Sequence, residues 1–89
     1  MKTPILVINY VHSVKSRIFF LTGRALEDLS KKEVLYKSDE VAIREEPIKI
    51  ISMEMYREKV EFVPQSYGTD ITLEVPEGIV LKEGDILYK

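Results

Sequence analysis

Apolar residues along this chain come in short runs separated by polar or turn-forming residues, and their period is nearer two than 3.6. The stretch 48–56 (I-K-I-I-S-M-E-M-Y) organises the rest, opened by Pro47 and closed by Arg57, Glu58 and Lys59. Strict alternation places Lys49, Ile51, Met53 and Met55 on one face and Ile48, Ile50, Ser52, Glu54 and Tyr56 on the other. Strand-like segments on both sides give it a central place in a small sheet. Residues 5–11 are almost continuously apolar and read as a strand with Pro4 at its start. Residues 12–16 read as a polar connection, and 17–24 as a second strand in which Gly23 marks a bulge or a close backbone approach.

Residues 25–32 satisfy either one helical turn or a hairpin loop; the strand-like 33–37 directly after them favours the loop. Residues 38–40 are a polar turn, 41–44 (V-A-I-R) a short extended piece, and 45–47 a break. After Tyr56, residues 57–63 alternate with Val60 and Phe62 on one side, and 64–68 form a loop. Residues 70–75 alternate cleanly, with Ile71, Leu73 and Val75 facing one way. Residues 79–81 and 85–89 are short closing strands around a turn at 82–84. Met53, Ile71, Leu73 and Ile86 belong in the core.

One echo runs through the chain: 29–37 (L-S-K-K-E-V-L-Y-K) matches 81–89 (L-K-E-G-D-I-L-Y-K). Two copies are too few for a solenoid, but two similar strands in one closed sheet explain them. Many short strands with no confident helix predict an all-β fold, a single small closed or nearly closed antiparallel β-barrel, because closure removes exposed strand edges.

Composition narrows the chemistry. Eighty-nine residues make one domain, large enough for a small core without metal or disulfide staples. The absence of cysteine removes disulfides, thiolate metal sites and cysteine nucleophiles, and fits an intracellular, cytoplasmic protein. The apolar run 5–8 is too short to span a membrane. Lys and Glu dominate the charges, and Asn9 and Gln65 are the only side-chain amides, a pattern expected of a heat-adapted protein. The net charge of −2 hides an asymmetry: residues 1–38 carry seven basic and three acidic groups, residues 39–89 six and twelve. A basic half can face phosphate, although a mixed solvated surface explains the same numbers.

Leu21-Thr22-Gly23-Arg24, the segment 50–56 (I-I-S-M-E-M-Y), Gly68-Thr69-Asp70-Ile71 and Glu83-Gly84-Asp85-Ile86-Leu87 together resemble the second domain of translational GTPases, the β-barrel that follows the GTP-binding domain in elongation factor Tu and its relatives. The resemblance spans residues 4–89. It departs in the first hairpin, where Glu27-Asp28 and Lys32-Glu33 stand at the family's glycine and Gly-Asp positions. It departs also in a longer 56–68 stretch carrying Pro64 and a shorter 78–84 connection. No G-x-x-x-x-G-K-[ST] phosphate loop is present, so no GTP binding is expected and the barrel reads as standing alone. The resemblance implies a translation-factor domain-2 fold and a non-catalytic binding module for RNA, a transfer-RNA end or ribosomal RNA, or for a ribonucleoprotein partner.

Residue by residue, the resemblance puts the glutamate against which a terminal adenosine packs at Glu54, its aromatic neighbour at Tyr56, and the asparagine near the aminoacyl group at Asp70, where an anion replaces an amide. An aromatic platform and edge-reading groups are what an unpaired base requires. Equally, Glu54 reads as a solvated strand residue and Tyr56 as a half-buried packing residue. Arg17, Arg24, Lys31 and Lys32 could gather at one barrel end as a phosphate-facing patch. His12, the only histidine, reads as a surface loop residue without a nucleophile beside it. One His, no Cys and no calcium-loop spacing leave no metal site, and no cofactor is expected. The acidic pairs Asp39-Glu40 and Glu45-Glu46 read as solvated turns. The alternative function is a protein-interaction or self-associating domain using a strand edge at 41–44 or 60–63.

Overall fold

The computed structural model describes residues 2–37 and 46–89. Nine strands run β1 (Pro4–Lys15), β2 (Ile18–Ala25), β3 (Leu29–Ser30), β4 (Val34–Leu35), β5 (Ile48–Met55), β6 (Glu58–Lys59), β7 (Phe62–Val63), β8 (Gly68–Glu74) and β9 (Ile86–Tyr88). The main sheet follows the order β4-β5-β8-β2-β1-β9, with β6 paired to β5, and every strand pair is antiparallel. A reciprocal bridge joins its ends: the Tyr36 N–H donates to the Tyr88 carbonyl at 2.7 Å and the Tyr88 N–H to the Tyr36 carbonyl at 2.8 Å. The sheet is therefore a nearly closed antiparallel β-barrel, and β3 and β7 form a minor second sheet beside it.

The seam is where the echo meets itself. Tyr36 and Tyr88 occupy the same place in the two copies, and the preceding Leu35 and Leu87 are both fully buried. Each copy turns the same way before its strand: Glu33 N–H to Ser30 carbonyl, 3.0 Å, and Asp85 N–H to Lys82 carbonyl, 3.1 Å. Lys89 at the end of the second copy reaches Glu33 of the first at 3.4 Å. Similar sequences thus supply the two edges that zip the sheet.

Ile5, Leu6, Ile8, Leu21, Ile48, Met53, Ile71, Leu73 and Leu87 fill the interior. Two features of the pattern differ from strict alternation, for one physical reason. In β5 the pairing with β8 shifts between Ile50 and Ser52, so Ile51 is an extra residue and the inward face changes parity. Ile48 and Ile50 point in before the bulge, Met53 and Met55 after it, and Ile51 is exposed. In β1, shifts between Ile8 and Tyr10 and between Val11 and Ser13 allow the strand to continue to Lys15, so residues 12–15 are strand rather than connection.

Other expectations change more locally. Residues 79–81 form no strand, yet Leu81 is buried. Ile86 is 38 % exposed, matching exposed Val34 at the same place in the echo. Val60 packs on the core while Phe62 faces solvent and Val63 is buried, because β6 ends at Lys59 and β7 leaves to pair with β3. That pairing occupies one edge of 60–63. The turn at 38–40, the extended piece at 41–44 and Glu45 lie outside the described residues.

Candidate functional site

Cross-strand pairing carries one row of outward side chains over five strands. Tyr10 of β1 lies opposite Thr22 of β2, Thr22 opposite Asp70 of β8, Asp70 opposite Glu54 of β5, and Glu54 opposite Lys59 of β6. A second row beside it runs Ser13, Phe20, Thr72, Ser52. Leu21, Ile71 and Met53, between the rows, point into the core and hold the three strands at fixed register. Phe20, Ser52, Glu54, Lys59, Asp70 and Thr72 of these rows line, with His12, a shallow groove of about 340 Å³ on the outside of the barrel.

The groove floor is hydrogen bonded. The Thr22 hydroxyl donates to Asp70 Oδ1 at 2.7 Å, and His12 Nε2 lies 2.6 Å from Thr22 Oγ1. His12 Nε2 and Asp70 Oδ1 are 4.0 Å apart. The histidine reaches this position because it is the extra residue where the β1–β2 register shifts, and a bulge re-aims its side chain. Tyr10 meets the imidazole edge-on, ring centroids 4.8 Å apart at 67°. Below the floor, buried Thr69 donates its hydroxyl to the Glu54 carbonyl at 2.9 Å and so ties β5 to β8 beneath the site.

At the end of the groove, β5 and β6 are joined by Tyr56 and Arg57, both at positive φ (52° and 65°). This is the φ signature of the turn that hairpins ordinarily build from Asn-Gly. Two non-glycine residues there hold backbone strain, and the side chain so displayed, Tyr56, is 86 % exposed. Tyr56 is accordingly no packing residue.

The structure brings Glu54 and Asp70 together, with Tyr56 on the adjoining turn. It does not gather the four basic residues at one end. Arg17 precedes β2 and Arg24 is near its far end, about 23 Å away along an extended strand. Lys31 pairs with Glu61 at 3.7 Å, and Lys32 is exposed in the next turn. His12 and Thr22 escape sequence reasoning: their partners lie 10 and 48 positions away, and only strand register unites them. Among the described residues no group of three or more His, Asp or Glu side chains could hold a metal ion, and no helix is long and apolar enough to cross a membrane.

No family model matches the chain, and neither does any curated protein or solved structure in the comparisons made.

Proposed function

We propose that this barrel is a non-catalytic binding module of the translation-factor domain-2 type, which receives an unpaired RNA end on the outer face of β1, β2, β8, β5 and β6. One observation carries the reading: Glu54, which the resemblance puts against a terminal adenosine, and Asp70, which it puts near the aminoacyl group, stand directly opposite each other on neighbouring strands. A strained turn beside them exposes a tyrosine. Stacking on such a ring contributes about 1–3 kcal/mol per base whatever the base. Arg57 and Lys59, on the same hairpin, are exposed cations within the reach of a backbone phosphate. The scattered placement of Arg17, Arg24, Lys31 and Lys32 favours a few nucleotides of single strand over a duplex tracked along a basic stripe.

Fluorescence anisotropy with a labelled single-stranded RNA tests this. Two phosphate contacts predict a log–log salt slope of about −1.4, at about 0.7 per contact on single strands. A flat salt response, or no binding at low salt, contradicts the proposal.

A protein partner is the second reading, and the specific observation in its favour is the exposed tyrosine–arginine pair at the hairpin tip, since Tyr and Arg are the side chains most often dominant at protein interfaces. It predicts a captured protein, or self-association, with no nucleic acid retained.

A further inference from the structure

The hydrogen-bond direction in the groove floor limits what can sit on it. The Thr22 hydroxyl spends its single proton on Asp70, so its oxygen accepts from His12 Nε2–H. In the neutral ring, Nδ1 is then a bare acceptor. Asp70 keeps its second carboxylate oxygen, and its side chain is two-thirds exposed. Glu54, directly opposite, adds another carboxylate. The centre of the groove therefore offers acceptors, beside the exposed ring of Phe20 and, through its contact with His12, that of Tyr10. Exposed cations stand at the hairpin end, at Lys59 and Arg57, and at Arg24, two residues beyond Thr22 on the same outward face of β2.

We infer that the His12–Thr22–Asp70 chain makes this face a base-selective platform, one that takes single-stranded RNA bases bearing an exocyclic amino group (adenine, cytosine or guanine) and discriminates against uracil. This rests on the RNA reading proposed above and adds to it a specificity that stacking alone would not produce. Amino groups donate to the Asp70 and Glu54 carboxylates, as glutamate and aspartate accept from cytosine N4. Uracil has a single ring donor, N3–H, set between two carbonyl oxygens, and those oxygens oppose the carboxylates where an amino group would donate to them. From Tyr10 to Lys59 the row crosses four strand spacings, about 19 Å, room for two to three extended nucleotides. A second stacking point at Tyr10 and His12 thus complements Tyr56 at the opposite end. A basic peptide would also present donors to the floor, but it would meet Arg57 and Lys59 at the exit. A nucleic-acid strand meets there the partners its phosphates need.

The test compares labelled oligoadenylate, oligocytidylate and oligouridylate at low salt, with an oligoarginine peptide as a competitor. Oligoadenylate and oligocytidylate should bind about ten- to hundredfold tighter than oligouridylate, the range that one additional charge-assisted hydrogen bond gives. Thr22→Val, which removes the hydroxyl that orients His12 and Asp70, and Asp70→Asn should each bring that ratio near one. Tyr56→Ala should weaken all three equally and leave the ratio intact. Thr72→Ala, on the second row, and Thr22→Ser, which keeps the hydroxyl, should both retain the preference, and strand amide dispersion in every variant reports that the fold is kept. Equal binding of the three oligomers overturns the base selectivity and leaves the RNA reading standing. Failure of all three to bind, or displacement by oligoarginine at far lower concentration than by oligoadenylate, overturns both.

Discussion

At the scale of single residues, the barrel depends on a few positions where only one side chain fits. Gly23 lies on β2 against β1, and a Cβ there would come within 2.8 Å of the Val7 carbonyl oxygen and 2.9 Å of Leu6 Cδ1. The nearer obstacle is backbone and cannot swing aside, so Gly23→Ala should destabilise the fold by about 1–3 kcal/mol, the usual range for overpacking, measured by chemical denaturation. A tolerated alanine would mean that β1 and β2 are farther apart at this point. Thr69→Val keeps volume but deletes the donor to the Glu54 carbonyl, and should cost about 1 kcal/mol while loosening the groove floor. Gly23 was legible as a close approach from its place inside an apolar run. The family resemblance singled out Glu54 and Asp70, but their facing each other across β5 and β8 follows only from strand register. His12 and Thr22 were not legible, because neither spacing nor composition encodes a contact that exists only once β1, β2 and β8 are in register.

At the scale of elements, bulges decide what alternation leaves open. A period-two pattern cannot announce an inserted residue, and the bulge at Ile51 is what lets Ile48 and Met53 share an interior although five positions separate them. The two shifts in β1 do the same for a twelve-residue strand whose second half is polar. The β5–β6 turn carries the clearest conflict between local preference and fold. Replacing Tyr56-Arg57 by Asn-Gly relieves two left-handed non-glycine residues and should stabilise the protein by about 1–2 kcal/mol, seen as a higher denaturation midpoint. The same replacement should weaken RNA binding at least tenfold, the loss of one stacked base and one phosphate contact. A variant that is no more stable, or that binds as before, would show the turn to have neither strain nor function.

At the scale of the whole molecule, closure follows from the repeated L-Y-K ends of the two echo segments. Sequence self-similarity predicted two like strands in one sheet; it could not say that they would meet at Tyr36 and Tyr88. Tyr36→Pro deletes one of the two reciprocal seam bonds and should cost about 1–3 kcal/mol, with β4 and β9 amides exchanging faster than those of β2 and β8. Once the seam is shut, the inner face is filled by side chains, so the recognition proposed here falls to the outer face of β1, β2, β8, β5 and β6. The most direct measurement is an amide chemical-shift map of the protein titrated with a short single-stranded RNA. Shifts concentrated at Tyr10, His12, Thr22, Glu54, Tyr56, Lys59 and Asp70 are the predicted result. Shifts confined to Arg17, Lys31 or Lys32 on other parts of the surface, or no shifts at all, would contradict it.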